Sequence, residues 1–200
     1  MTENPAEPDF WNQRYVAAQT PWDFGGVPAA LQRYLAANPG PGQSVLIPGC
    51  GPGHEIAAFA TAGYAVTAVD FSPPAVAQAR RRLGPTLGGA VHFADFFAGE
   101  FPHGPFDLVY ERTFLCALPV VRRPEIVART RTLLKSGGRL VGLYYYGDKE
   151  EGPPFGLEHA EAAALFDGGF ELTLDLPVPP HESPALFAGK ERWQERRHRA

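Results

Sequence analysis

Ser44-Val45-Leu46-Ile47-Pro48-Gly49-Cys50-Gly51-Pro52-Gly53 joins an apolar run to a glycine-rich turn. Ile56-Ala57-Ala58-Phe59-Ala60 then places apolar residues at helical spacing until Gly63 stops the helix. This is a strand, a turn and a helix, and the pattern repeats outward from it. A second apolar strand over 65–69 closes on Asp70. Ser72 can cap the next helix with Pro73 at its first position, running through Ala75, Val76 and Ala79 into Arg80-Arg81-Arg82, which suit the helix C-terminus and solvation. Residues 91–94 give a third strand ending at Asp95, and 106–110 a fourth ending at Glu111-Arg112. A helix through Ile126, Val127, Thr130, Leu133 and Leu134 reaches Gly137-Gly138, and 140–146 make a fifth strand. After Gly147 come a charged loop, a helix over 158–166, a strand over 170–176 and a last strand near 186–188.

Strands buried on both faces read as continuous apolar runs, so the order predicts an α/β fold. The expected architecture is a mostly parallel, seven-stranded sheet with helices on both faces, completed by an antiparallel edge strand from the tail. Ligands are expected at the C-terminal ends of the strands, where the polar residues fall.

Composition narrows the class. Two hundred residues, 44% hydrophobic and 20% charged, suit one soluble domain. The expected division is an aromatic leader and leading helix over 1–40, a cofactor-binding core over 41–150 and a sheet-completing segment over 151–200. The 22 glycines and 21 prolines are interspersed with apolar runs and act as loop punctuation. A net charge of −4 provides no cationic field to hold nucleic acid. Cys50 and Cys116, the two cysteines, form no CxxC pair and sit in apolar surroundings without an adjacent His, which suits inert packing rather than a disulfide, zinc site or nucleophile. The six histidines fall at no ligand spacing, so no metal is expected. The N-terminus lacks the basic patch and apolar stretch of a signal peptide, and no run approaches the roughly 18 apolar residues of a membrane span. A cytoplasmic location and no membrane partner are expected.

The turn reads G-x-G-x-G, one residue short of the dinucleotide fingerprint, and Asp70 lies nineteen residues after Gly51 at the end of the adjacent strand. There its carboxylate can accept bonds from ribose hydroxyls; the alternative is a helix-capping role. Asp95 can take a bond from an adenine amino group while Phe96 packs on the base, or simply cap its loop. Phe10, Trp11, Tyr15, Trp22 and Phe24 put five aromatics in fifteen residues, with Trp11 and Tyr15 on one helical face. They read as an aromatic lid over a cation or as a core-packing helix. The basic end, Lys190-Glu191-Arg192-Trp193-Gln194-Glu195-Arg196-Arg197-His198-Arg199, reads as a solvated terminal strand and tail.

The turn, Val69-Asp70-Phe71-Ser72, Ala94-Asp95 and Leu133-Leu134-Lys135-Ser136-Gly137-Gly138-Arg139-Leu140 together resemble the class I S-adenosylmethionine-dependent methyltransferases, whose sheet is Rossmann-like. Trp11-Asn12-Gln13-Arg14-Tyr15, Thr20-Pro21-Trp22-Asp23, Thr113-Phe114-Leu115-Cys116-Ala117-Leu118 and Gly152-Pro153-Pro154-Phe155 look like the thiopurine, thiol and halide methyltransferase family, extending the resemblance from about residue 10 to 190. The resemblance implies S-adenosylmethionine as cofactor. Its contacts carry over to Trp11, Trp22, Gly49, Asp70, Asp95, Phe96 and Arg112, with Cys50, Gly51 and Phe71 completing the two turns. Where plant members have a third Trp and an Asp-Tyr pair, this chain has Tyr15 and Glu111-Arg112, the latter like the Asp-Arg of thiopurine enzymes.

The implied activity is in-line methyl transfer to a small soft nucleophile: a thiol, thiopurine, sulfide or halide. Such acceptors need little activation, which fits the lack of any evident Asp/His or Glu/His base beside the cleft. Tyr15, Arg112 and Phe155 are the candidate catalytic residues. Arg112 either favours an anionic nucleophile or pairs with Glu111 or another acid, while Tyr15, Phe24, Phe114 and Phe155 would form apolar walls. A non-catalytic S-adenosylmethionine-binding module and a nicotinamide-dependent oxidoreductase are the competing readings.

Overall fold

The computed structural model describes residues 4–147, 152–187 and 189–199. β1 (Ser44–Pro48) is buried along its whole length, as an uninterrupted apolar run requires when both faces are covered. It pairs in parallel with β2 (Ala65–Asp70), which pairs in parallel with β3 (Val91–Phe93). On its other side β1 pairs in parallel with β4 (Phe106–Arg112), and β4 with β5 (Leu134–Tyr145). β6 (Phe170–Pro177) forms the far edge, and β7 (Glu191–His198) is inserted between β6 and β5, antiparallel to both. The order is β3-β2-β1-β4-β5-β7-β6. Winding outward from β1 to β3 and then crossing back to β4 opens a crevice beyond the C-terminal ends of β1 and β4. Gly142 of β5 is obligatory: a Cβ there would fall 1.8 Å from the Glu111 carbonyl oxygen of β4.

Alternation along the strands sends side chains to opposite layers. Val45 and Ile47 join Leu31 and Tyr34 of α2 (Ala29–Ala37) and Ile56 and Phe59 of α3 (His54–Thr61). Leu46 points the other way, toward Val109, Leu140 and Tyr144, with Leu133 of α5 (Arg123–Leu133) and Phe166 of α6 (His159–Phe166). The leading helix, α1 (Pro8–Val16), packs on α4 (Pro73–Leu87) through Phe10, Trp11, Tyr15 and Ala75. Among the described residues, no helix is long and apolar enough to cross a membrane.

Four sequence expectations change. The last strand is β7 rather than 186–188: Leu186 and Phe187 lie in a turn, and Ala188 falls outside the described residues. The basic stretch is a terminal strand, as expected, but it is not a solvated one. Glu191, Trp193, Gln194 and Arg196 are buried, with the Arg196 guanidinium 4.1 Å over the Phe166 ring, so aromatic stacking accommodates the charge that makes this strand look exposed. Helix α5 ends at Leu133, not at Gly137-Gly138, because Leu134 is already extended and paired with Phe106. Ser72 occupies the N-cap position, yet its hydroxyl donates to Asn12 Oδ1 at 2.8 Å, tying α1 to α4. Arg80 lies within α4 and donates to the Val91 carbonyl at the start of β3. The expected charged loop after Gly147 includes residues 148–151, outside the described residues.

Candidate functional site

The turn after β1 is built from left-handed backbone: Gly49, Gly51 and Gly53 have φ of 57°, 51° and 73°. A side chain at Gly49 would also meet the Phe114 ring at 2.6 Å, so close approach and conformation both demand glycine there. Asp70, at the end of β2, clamps this turn to the next one. Its Oδ2 accepts the Gly51 N–H and its Oδ1 the Ser72 N–H, both at 2.9 Å. The side chain is buried, which pushes its pKa up to about 6 against the opposing effect of those amide donors. Each oxygen keeps a lone pair for a further donor.

A cavity of about 350 Å³ opens at this point. Trp11, Tyr15, Trp22, Gly49, Asp70, Phe71, Asp95 and Phe96 all line it, so eight sequence-selected residues from four separate segments are brought together. Trp22 meets Trp11 and Tyr15 edge-on, with centroids 5.4 and 6.1 Å apart. Burial, then the nearby Asp70, holds the Tyr15 phenol well above its usual range. Asp95 is exposed and accepts the Phe97 N–H at 2.9 Å, while Phe96 packs edge-on against Phe114 at 5.0 Å. Trp22, Cys116, Leu186 and Phe187 form an apolar cluster on the cavity wall, joined by Pro153 and Pro154. Only Asp70, Asp95 and Arg14 bring charge to the described lining, and Arg14 is engaged with the Phe10 carbonyl and ring.

Arg112, Cys50 and Gly51 lie elsewhere. They line a smaller cavity of about 40 Å³ that shares Tyr15, Trp22, Gly49 and Thr113 with the first. Arg112 Nη1 is 3.7 Å from Glu55 Oε1, with both side chains about nine-tenths buried, so its partner is a buried acid on α3 and not Glu111. Burial works against the Arg112 charge, but Glu55 and the nearby Tyr110, Glu191 and Asp23 outweigh it and raise its pKa. Its buried Nε has no partner among the described residues. Beside this pair, His54 Nε2 lies 3.0 Å from Asp23 Oδ1, so an Asp/His pair does adjoin the cleft, contrary to the sequence expectation. Neither residue carried a spacing signal, since they meet only through the fold.

Glu111 turns its Oε1 to the Phe114 and Leu115 N–H groups at 3.2 and 3.1 Å. Its Oε2 is buried without a partner among the described residues, and burial pushes its pKa up to about 7. Phe155, expected as an acceptor wall, instead lines a small void with Glu111, Cys116 and Arg123, because its amide is held to the Cys116 carbonyl at 2.7 Å. The preceding Pro153 and Pro154 face the main cavity in its place. Phe24 does not line that cavity and is 36% exposed. Phe114, Phe97, Leu118, Leu186 and Phe187 do line it; of these only Phe114 was singled out as a wall, since the others sit in turns or loops without periodicity. Cys116 contributes to the wall as a buried thiol whose pKa is raised far above its usual range by burial, then by Glu111.

Comparison with known proteins places this geometry in a family. The Thiopurine S-methyltransferase (TPMT) family profile matches residues 6–196. The chain is 34% identical over 177 residues to a probable thiol methyltransferase 2 of Arabidopsis thaliana, covering 86% of this chain and 76% of the relative. It is 32% identical over 207 residues to a thiopurine S-methyltransferase of Vibrio cholerae, covering 94% and 95% respectively. Among solved structures, the Burkholderia thailandensis 1,6-didemethyltoxoflavin-N1-methyltransferase, crystallised with S-adenosylhomocysteine, superposes with a TM-score of 0.72 at 22% identity, covering 96% of this chain and 87% of that one. A TehB-like S-adenosylmethionine-dependent methyltransferase from Corynebacterium glutamicum gives 0.65 at 18% identity, covering 98% and 100%. These two likenesses show the shared fold.

Proposed function

The chain belongs to the thiopurine S-methyltransferase family and is an S-adenosylmethionine-dependent methyltransferase; on that premise we propose that its acceptor is a small, soft nucleophile, foremost a thiol that reacts as its thiolate. The observation that carries this reading is the cavity at the β1 and β4 ends. Asp70 stands at one wall of it, and the Trp22, Cys116, Leu186 and Phe187 cluster forms an uncharged apolar wall.

The residues present fit the cofactor. Asp70 has lone pairs for the two ribose hydroxyls, and Asp95 with Phe96 suits an adenine amino group and ring face. The small cavity offers charges of both signs, Arg112 with Asp23 and Glu55, and an Arg112 Nε with no partner among the described residues, which suits a zwitterionic amino-acid end. Bound there, S-adenosylmethionine supplies an electrophilic methyl group on a sulfonium cation. Trp11, Tyr15 and Trp22 exclude water and turn aromatic faces and edges toward that region; a cation over such a face gains roughly 0.5–2 kcal/mol. Because its phenol stays protonated, Tyr15 acts as a hydrogen-bond donor and wall rather than a base.

A thiol of ordinary pKa is already a few per cent thiolate near neutrality, so holding the sulfur at about 3–3.5 Å in line with the methyl carbon supplies most of what the reaction needs. Among the described residues the acceptor wall carries no free cation, which suits a thiol better than sulfide or halide. Both cysteines are buried thiols, which fits a reducing cytoplasm. Calorimetry with S-adenosylmethionine, followed by an acceptor screen detecting S-adenosylhomocysteine, tests the reading. Methylation of apolar thiols ahead of iodide and simple alcohols is expected; methylation of alcohols or amines without any thiol activity overturns it.

A further inference from the structure

The Pro153–Pro154 wall of the cavity hangs on a side chain that lies outside it. Arg123 begins α5 and is 2% exposed, the bulkiest of the fully buried side chains among the described residues. Its Nη2 donates to the Phe155 and Gly156 carbonyls, both at 2.9 Å, and its Nη1 to Glu161 Oε1 of α6 at 2.5 Å. Among the described residues of the loop between β5 and α6, the Phe155 N–H also goes to the Cys116 carbonyl, the Leu157 N–H to the Tyr145 carbonyl and the Tyr146 N–H to the Lys190 carbonyl, so at Phe155 and Gly156 the carbonyls are held by Arg123. One guanidinium thus binds α5, α6 and the loop that carries Pro153 and Pro154.

Burying a guanidinium is a poor device for stability alone, since an apolar residue of similar volume serves as well or better, and Glu161 keeps about a third of its side chain exposed. What the planar fork supplies is geometry. It reaches two adjacent carbonyls and a carboxylate at once, which an ammonium cannot do with the same orientation. We propose that Arg123 is a positioning residue for the methyl acceptor: it fixes the loop that presents Pro153 and Pro154 to the acceptor and so sets acceptor selectivity, without touching the acceptor or the cofactor. This rests on the placement of the acceptor against the Cys116, Leu186 and Phe187 wall proposed above.

The test uses the full chain with Arg123→Met, Arg123→Lys and, as a check on the wall itself, Leu186→Ala. The readouts are acceptor kcat/KM across thiols of graded bulk, the S-adenosylmethionine Kd by calorimetry and the unfolding midpoint. Arg123→Met should lower acceptor kcat/KM by about ten- to a hundredfold and flatten the ranking of thiols, with cofactor Kd unchanged within about twofold. Arg123→Lys should recover part of the ranking, because it keeps the charge facing Glu161 but not the fork. Equal losses toward acceptor and cofactor, or an unchanged ranking in folded Arg123→Met, overturn the proposal. Should Arg123→Met not fold, Arg123→Lys decides alone: selective acceptor loss supports the role and a wild-type ranking overturns it. A changed ranking in Leu186→Ala with none in the Arg123 variants removes Arg123 alone. An unchanged ranking in Leu186→Ala removes the wall and the proposal together.

Discussion

His54 Nε2 lies 3.0 Å from Asp23 Oδ1, although the two residues are 31 positions apart. The contact docks the connection carrying Trp22 onto the first turn of α3, directly after the glycine turn. Asp23 also accepts the Gly25 N–H at 2.8 Å. Half-burial would raise its pKa, but the bonds from His54 and Gly25 outweigh that and hold it below the usual range. The pair's contribution to stability is therefore present above the ordinary Asp range and lost as pH falls through the lowered value. The leader is thus fastened beside the glycine turn by a hydrogen bond as well as by aromatic packing.

Asp23→Asn should weaken S-adenosylmethionine binding by about 1–2 kcal/mol, the cost of a charge-assisted bond, because Trp22 loses its tether. His54→Gln, which keeps a donor, should lose less. An unchanged calorimetric Kd in Asp23→Asn would leave the leader held by its aromatics alone.

Arg112→Leu leaves Glu55 buried beside no cation, so the unfolding free energy should fall by about 3–5 kcal/mol. Adding Glu55→Gln should restore most of that stability but not cofactor binding. Chemical denaturation of the two single variants and the double variant measures the coupling; additive losses would show that the 3.7 Å contact carries no energy.

At Asp70, substitution by Asn keeps the shape but turns an amide toward one of two N–H donors. We expect a stability loss of about 1–3 kcal/mol together with cofactor affinity reduced by about 1.5–3 kcal/mol. A variant that melts early yet binds S-adenosylmethionine normally would reduce Asp70 to the clamp between Gly51 and Ser72.

Glu111 gives a pH signature. Its folded pKa, about 7, lies above the ordinary 4.5. Between those values the folded state holds a proton that the unfolded chain has lost, so stability falls as pH rises through this window and stays low above it. The cost at pH above 7 is on the order of 3 kcal/mol. Glu111→Gln keeps an oxygen for the Phe114 and Leu115 amides, so it should melt higher than the wild type at pH 7.5 and alike at pH 4.5. Parallel melting curves would place the carboxylate in a more polar setting.

Removal of residues 1–24 should abolish cofactor binding and methyl transfer while leaving a cooperatively unfolding protein. All seven strands begin after it, and α1 packs on the sheet's outer helix α4. Retained activity would eliminate the lid; loss of cooperative unfolding would make Phe10, Trp11 and Tyr15 part of the core.

Local composition by itself determined the parallel core. The apolar run Ser44–Pro48, running straight into a glycine-rich turn and a helical pattern, reads as a strand buried on both faces, and the same pattern repeated puts Asp70 at the end of the next strand, so the turn, Asp70 and the clustered aromatics of the leader are legible without coordinates. Tertiary structure decided whatever depends on partners remote in sequence. A basic stretch became the buried strand β7 because Phe166 and the neighbouring strands accept its side chains. Arg112 left the main cavity because Glu55 lay within reach. Pro153 and Pro154, not Phe155, face the cleft because the Cys116 carbonyl holds the Phe155 amide and Arg123 grips the loop from behind. Spacing encodes faces of helices and strands, whereas pairing between charges and loops arises only once the sheet has brought distant segments together.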